Sequence, residues 1–290
     1  MRTLSILERY QTQLVADGRS IFWRQQIDRH IHFMDRWFRK HRLPHDVKRI
    51  THEHVAQFLS SPEANTRRDG QPKKTTSTNC LRSSVKVFFG YAHAAGHAPR
   101  NAAALVRRAK CAPPPPRAMP PDDLKRLLAT VDVAEGAAAE RDSALLHLLA
   151  ETGIRIGSAL AATVEDLDLR HRELRLTTTK GNRPTVITLP LPLCRRLRHY
   201  LGNRTGGPLF PALGGRPVTG RQARRRMSHW LEKAGCRPAS PHGLRHAFAK
   251  RLYAASKNIA VVQAALRHRA IASTLVYARH DAHSHSSEYR

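Results

Sequence analysis

Apolar residues recur every three or four positions in the first third of the chain: Ile27, Ile31, Met34 and Phe38, with Arg and His filling the places between. That period describes a helix with one buried face. Val55, Phe58 and Leu59 mark a second helix, and Leu81, Val85, Phe88 and Phe89 a third. Between those two, Asn65-Thr-Arg-Arg-Asp-Gly-Gln-Pro-Lys-Lys74 breaks the period. It reads as a basic surface loop, either a plain solvated turn or a contact for phosphate. The pattern stops at Cys111-Ala-Pro-Pro-Pro-Pro-Arg117, since four prolines in a row cannot continue a helix and favour a stiff extended spacer.

Beyond the prolines, Pro121-Asp-Asp-Leu-Lys-Arg-Leu-Leu opens a helix with acids in its first turn, where the helix dipole favours them. Residues 144–150 are dense in leucine and lead to Thr152-Gly153, where glycine suits a left-handed cap. One β region follows. Residues 174–179 and 185–189 are rich in β-branched side chains and flank Lys180-Gly-Asn-Arg-Pro184, the tip of a hairpin. Helical patterns resume near Cys194, over residues 227–234, from Gly243 onward, and again at Val261 and Thr274. The expected fold is mainly α: an all-helical N-terminal domain over residues 1–110, a proline-rich linker over 111–118, and a mostly helical domain with a small antiparallel β-sheet over 119–290. No internal repeat is visible.

Charge turns this outline towards a partner. The 290 residues carry 50 Lys and Arg against 22 Asp and Glu, a formal charge of +28. Residues 1–112 hold 21 basic and 8 acidic side chains, and residues 113–290 hold 29 and 14, so both parts are basic. Two basic lobes suit a polyanion, because nucleic-acid binding draws on phosphate neutralisation and counterion release. Charge alone also fits a protein that sticks weakly to any anion. The four cysteines, Cys80, Cys111, Cys194 and Cys236, are far apart with no CxxC spacing. They point away from a disulfide framework or zinc cluster and towards a reducing cytosol. No apolar run nears the roughly 20 residues needed to span a bilayer, and Met1-Arg-Thr-Leu-Ser-Ile-Leu-Glu lacks the core of a signal peptide. The expected location is the cytoplasm.

The candidate chemistry is spread over the second half. Glu151-Thr-Gly-Ile-Arg155 supplies one guanidinium and Lys180 an amine on the hairpin. His242-Gly-Leu-Arg245-His246 adds a second guanidinium and an imidazole, Leu266-Arg-His268 another imidazole, and Tyr277 a phenol. Breaking a phosphodiester without metal or water needs a nucleophile, charge stabilisation on the non-bridging oxygens, a base for the nucleophile's proton and an acid for the departing oxygen. Tyrosine suits a reversible step because its phenoxide is itself a moderate leaving group. With a free pKa near ~10 it needs a nearby base or positive field. Arg155 and Arg245 offer planar forks matched to two phosphate oxygens. His242 can serve as the base, His268 as a donor to a non-bridging oxygen, and Lys180 as the acid that protonates the leaving oxygen.

Each residue alone has a plainer reading. An isolated arginine is a surface or backbone contact, Lys180 a turn lysine, and Tyr277 a half-buried helix residue with its hydroxyl hydrogen-bonded. His242 and His246 form an HxxxH, but no acid or cysteine accompanies them at zinc-ligand spacing, so no metal or cofactor is expected. His93 and His97 share the spacing and read as helix-surface residues. Joint order and spacing carry the functional reading.

That joint pattern resembles the tyrosine recombinases, also called the phage integrase family, over nearly the whole chain. Glu151-Thr-Gly-Ile-Arg-Ile-Gly looks like the family's first arginine box, Lys180 its β-hairpin lysine, His242-Gly-Leu-Arg245 its HxxR box, and Leu266-Arg-His268 with Tyr277 nine residues on its final histidine and nucleophile. The resemblance implies catalytic roles for Arg155, Lys180, His242, Arg245, His268 and Tyr277. It implies a helical, SAM-like core-binding domain before the catalytic domain, the two closing on double-stranded DNA. It further implies four protomers on two recombination sites, and integration, excision or resolution of DNA, for instance on a mobile element, through a 3′-phosphotyrosyl intermediate. An accessory recombinase or DNA-bending protein would be compatible partners; a membrane would not. Without the arm-binding domain of lambda-type integrases, the chain looks like a two-domain Xer-like enzyme. It departs from the pattern at Ser158, where the family usually has an acid, and at Arg267, where glycine is common; only 13 residues follow Tyr277. Two other readings stand beside this one: a type IB topoisomerase, which would relax DNA lacking any target site, and a catalytically silent DNA-binding regulator, which would never form a covalent adduct.

Overall fold

The computed structural model describes residues 2–111, 117–176, 185–267 and 274. The chain divides into two compact units, Met1–Pro113 and Pro114–Arg290.

The first unit is helical among its described residues: α1 (Thr3–Ala16), α2 (Ile21–Lys40), α3 (His52–Ser60), α4 (Pro62–Asn65) and α5 (Thr75–Ala94). Ile27, Ile31, Met34 and Phe38 of α2 are fully buried and meet Val85, Phe88 and Phe89 of α5, with Phe58 of α3 in the same core. The stripe of apolar positions is thus what closes this unit. α1 joins it through Ile6, Leu7, Tyr10 and Leu14, a face with helical spacing that the sequence reading passed over. Asn79 of α5 pins the segment after the bundle: its amide donates to the Ala109 carbonyl at 2.9 Å and accepts from the Ala109 N–H at 2.8 Å.

Two local expectations change. In the basic loop, the Lys73 ammonium donates to the Glu63 and Ala64 carbonyls at 2.8 and 3.1 Å and lies over the Phe33 ring, 5.5 Å from its centroid. It therefore closes the end of α4, while Arg68 and Lys74 stay exposed. His93 is exposed on α5 as expected, but His97 is not a helix residue, because α5 ends at Ala94.

The second unit contains α6 (Pro121–Asp132), α7 (Ala137–Thr152), α8 (Ile156–Ala161), β1 (Leu167–Asp168), β2 (Glu173–Leu176), β3 (Thr185–Thr188), α9 (Leu191–Leu201), α10 (Gly220–Lys233), α11 (Pro241–Ser256) and α12 (Ile259–Leu266). α7 is its central helix, packed by α6, α9, α10 and α11, which explains why its leucines lie on more than one face. Asp142 of α7 ties it to α10: its carboxylate accepts from the Trp230 indole at 2.8 Å and from Arg226 at 2.6 Å, and pairs with Arg141 at 2.7 Å. A buried carboxylate needs such partners to stay charged.

The sheet is antiparallel in the order β1-β2-β3, with Leu174 opposite Ile187 and Leu176 opposite Thr185. Leu174 and Leu176 point into the core and alternate with exposed Glu173 and Arg175, the period of a sheet with one wet face. The two-residue β1 was not anticipated. Residues 177–184, including Lys180, lie outside the described part, as do His268, Tyr277 and the prolines at 113–116.

Candidate active site

The site is organised at the end of α7. Thr152 is followed by Gly153 in a left-handed conformation, φ 62°, as the sequence predicts for a glycine cap. The position admits nothing larger: a Cβ there would lie 2.3 Å from the Phe248 ring. The turn sends the chain through Ile154 into Arg155, which is extended (φ −70°, ψ 139°) and caps α8, its carbonyl accepting from the Ser158 and Ala159 N–H groups. Arg155 is partly exposed. Its side chain forms no ion pair or hydrogen bond among the described residues.

α11 lies across this turn. Three of its residues, spaced by three, face α7. The Arg245 guanidinium, 3% exposed, donates to the Gly153 carbonyl. Phe248 packs on the glycine, and Arg251 donates to the Ala150 carbonyl at 2.6 Å. These carbonyls end a helix, where cations are favoured. The other fork of Arg245 donates to the Leu266 carbonyl at the end of α12. One buried side chain therefore joins three segments and has its orientation imposed by two acceptors.

His242 sits three residues before Arg245 in the first turn of α11, on the same face, and is exposed. Its ring stands edge-on to His246, centroids 4.4 Å apart. Loss of hydration against the protein, then the positive charges of Arg245 and Arg155, hold His242 below the ordinary histidine pKa. The imidazole is thus kept neutral near pH 7, the form that accepts a proton.

Arg267 belongs to the same neighbourhood. It ends α12 in the left-handed region, φ 53°, which costs a non-glycine residue roughly 1–2 kcal/mol. Its guanidinium donates to the Ala265 carbonyl at 3.3 Å and the Val186 carbonyl of β3 at 3.2 Å. Burial, and secondarily the charge of Arg155, pull it below the usual arginine pKa. The sequence marked Arg267 only as a departure. Its backbone conformation and its reach to β3, 81 residues away, leave no periodic signal. Arg251 was missed as well, although the spacing of Arg245, Phe248 and Arg251 was there to read.

Of the six sequence candidates, the described residues bring together Arg155, Arg245 and His242; Lys180, His268 and Tyr277 fall outside them. Chemically the assembled part is cationic, guanidinia and an imidazole without a carboxylate paired to the Arg155 or Arg267 side chain among the described residues, an arrangement that can hold an anion. Among those residues no cluster of His, Cys, Asp or Glu has metal-binding geometry, and no helix is long and apolar enough to cross a membrane.

Solved structures share this fold. The chain superposes on XerH site-specific recombinase bound to a palindromic difH substrate with a TM-score of 0.75 and 18% identity, over 98% of this chain and 83% of that one. On a lambda integrase dimer bound to a COC′ core site the TM-score is 0.71 at 20% identity, over 96% and 77%. The tyrosine recombinase XerC of Chromobacterium violaceum is 30% identical over 200 residues, 67% of this chain and 66% of that enzyme's length. XerD of Pseudomonas putida is 27% identical over 252 residues, 83% and 80% of the two. The phage integrase family model matches residues 117–284. The chain belongs to the phage integrase family, and with it to the tyrosine-type site-specific recombinases.

Proposed function

We propose that this recombinase cuts and rejoins double-stranded DNA at specific sites through a 3′-phosphotyrosyl intermediate, with Tyr277 as the nucleophile. The observation that carries the reading is Arg245, buried and oriented by the Gly153 and Leu266 carbonyls beside an Arg155 whose side chain has no partner among the described residues. A buried guanidinium held in place beside a second one whose side chain has no partner among the described residues suits a phosphodiester whose non-bridging oxygens gain charge in the transition state.

In the proposed step the Tyr277 phenol oxygen attacks phosphorus, and its proton passes to neutral His242. Arg155, Arg245 and His268 hold the non-bridging oxygens. The bond to the 5′-oxygen breaks, and Lys180 gives that oxygen its proton. The new phosphotyrosine ester conserves the bond energy, so a 5′-hydroxyl from a second strand can reverse the step without ATP. Residues 1–110 would serve as a core-binding domain and residues 119–290 as the catalytic one, both basic enough to neutralise phosphates. Lambda integrase is known as a tetramer bound to a Holliday junction; four protomers on two sites is the assembly we propose here. The reaction would take place in the cytoplasm.

The test is recovery of covalent protein–DNA adducts from cells expressing the protein, followed by sequencing of the attached DNA. Adducts at one inverted-repeat site that vanish in Tyr277→Phe, with DNA binding retained, are the expected result. Adducts that persist in Tyr277→Phe overturn the assignment, and adducts scattered over unrelated sequences turn the reading to a topoisomerase.

A further inference from the structure

Arg267 occupies a position that opposes its own side chain. Its backbone has φ 53°, a conformation that suits glycine. It is half-buried, yet no carboxylate pairs with it among the described residues. Its like-charged neighbour Arg155 is close by, because Arg245 binds both the Gly153 carbonyl, two residues before Arg155, and the Leu266 carbonyl, next to Arg267. A buried cation beside another cation is unfavourable unless an anion joins them. The two carbonyls it binds, Ala265 and Val186, take one N–H from each terminal nitrogen. A guanidinium has five N–H donors, so the remaining three have no partner among the described residues. Those two bonds fix the plane of the fork rather than satisfy it. The Arg155 side chain in turn has no bond among the described residues. Arg267 therefore presents braced donors, and Arg155 a side chain without a partner among the described residues, on segments that Arg245 ties together.

We propose that Arg267 is a third phosphate-binding guanidinium of this site, donating to the same anion as Arg155. The assignment rests on the reading that Arg155 and Arg245 hold a phosphodiester. It adds that the end of α12 itself contributes a contact, through a side chain whose fork is braced on β3. The phosphate would thereby sit between three segments, the turn after α7, the start of α11 and the end of α12. Only the first two contribute through Arg155 and Arg245.

The experiment titrates inorganic phosphate into the full chain at low ionic strength and follows the imidazole NMR signals of His242, which sense Arg155 and report on this site rather than on the rest of a basic surface. Wild type is compared with Arg155→Ala, Arg267→Gln, Arg267→Gly and the Arg155→Ala/Arg267→Gln double variant. The expected result is a loss of about tenfold in phosphate affinity for each single variant, with the double variant losing clearly less than the product of the two, because both donors serve one anion. Arg267→Gly is expected to melt no lower than wild type, since glycine relieves the left-handed backbone, while still losing the affinity. That combination separates ligand binding from capping of α12. If Arg267→Gln and Arg267→Gly bind phosphate as wild type does while Arg155→Ala is weakened, this inference is overturned and the active-site reading stands. If Arg155→Ala also binds normally, both fall.

Discussion

At Gly153 a single hydrogen stands between an assembled and a disrupted site. The residue needs a positive φ, and the Phe248 ring fills the place of a Cβ at 2.3 Å. Gly153→Ala therefore meets a left-handed penalty of roughly 1–2 kcal/mol and an overpacking cost of about 1–3 kcal/mol. A drop in melting temperature of about 6–12 °C is expected for the second unit, together with loss of covalent adduct, because Arg155 follows this turn and Arg245 binds its carbonyl. Gly157→Ala is the matched control: it lies in α8, where an added methyl would meet nothing within 4 Å and φ is not positive, so its melting temperature should stay near that of wild type. Thermal melts of the two variants decide the point, and equal melting would remove Gly153 from the account. Ser158 bears on the same turn differently. It is buried and its N–H donates to the Arg155 carbonyl at 2.9 Å, a backbone service that any residue type except proline can perform.

At the scale of elements, the α2–α5 contact carries a pH response. His30 of α2 meets Ser84 of α5, Nδ1 to Oγ at 2.8 Å. Burial, then the charges of Arg29 and Lys73, lower its pKa to about 4. Because the folded value lies below the unfolded one, the neutral ring favours folding. That contribution is complete above about pH 6.5 and is lost as pH falls through about 4. It amounts to about 2 kcal/mol once partial solvent screening is allowed for. Denaturant midpoints at pH 7 and pH 4.5 should therefore differ more in wild type than in His30→Gln; an unchanged difference would refute the burial argument. The same helices show what a sequence can disclose. Ile27, Ile31, Met34 and Phe38 announced α2 because a bundle face repeats every turn. The six-residue α8 and two-residue β1 are too short to express a period, and their geometry comes from neighbours. Arg155, His242 and Arg245 were legible as local strings. That Arg245 reaches Gly153, 92 residues upstream, was not, since a non-local pairing leaves no mark in spacing.

For the molecule as a whole, the charge of +28 is shared between the two compact units. Duplex DNA binding should weaken steeply with salt, with log affinity falling by about 0.9 per phosphate neutralised for each unit of log salt. With this many cations a slope magnitude of at least about 5 is expected, measurable by fluorescence anisotropy of a labelled duplex across a salt series. A flat response would mean that the charge serves solubility rather than DNA. Arg245 has a consequence at this scale too. It is a knot tied from strands of chain that are distant in sequence, and it can be drawn tight only after the central helix, the helix across it and the helix that follows have all come into place. Long-range closures of that kind come late in folding. A nascent, clipped or partly melted chain thus lacks an anchored Arg245, and the proposed strand cutting would begin only with the last contacts of a finished fold.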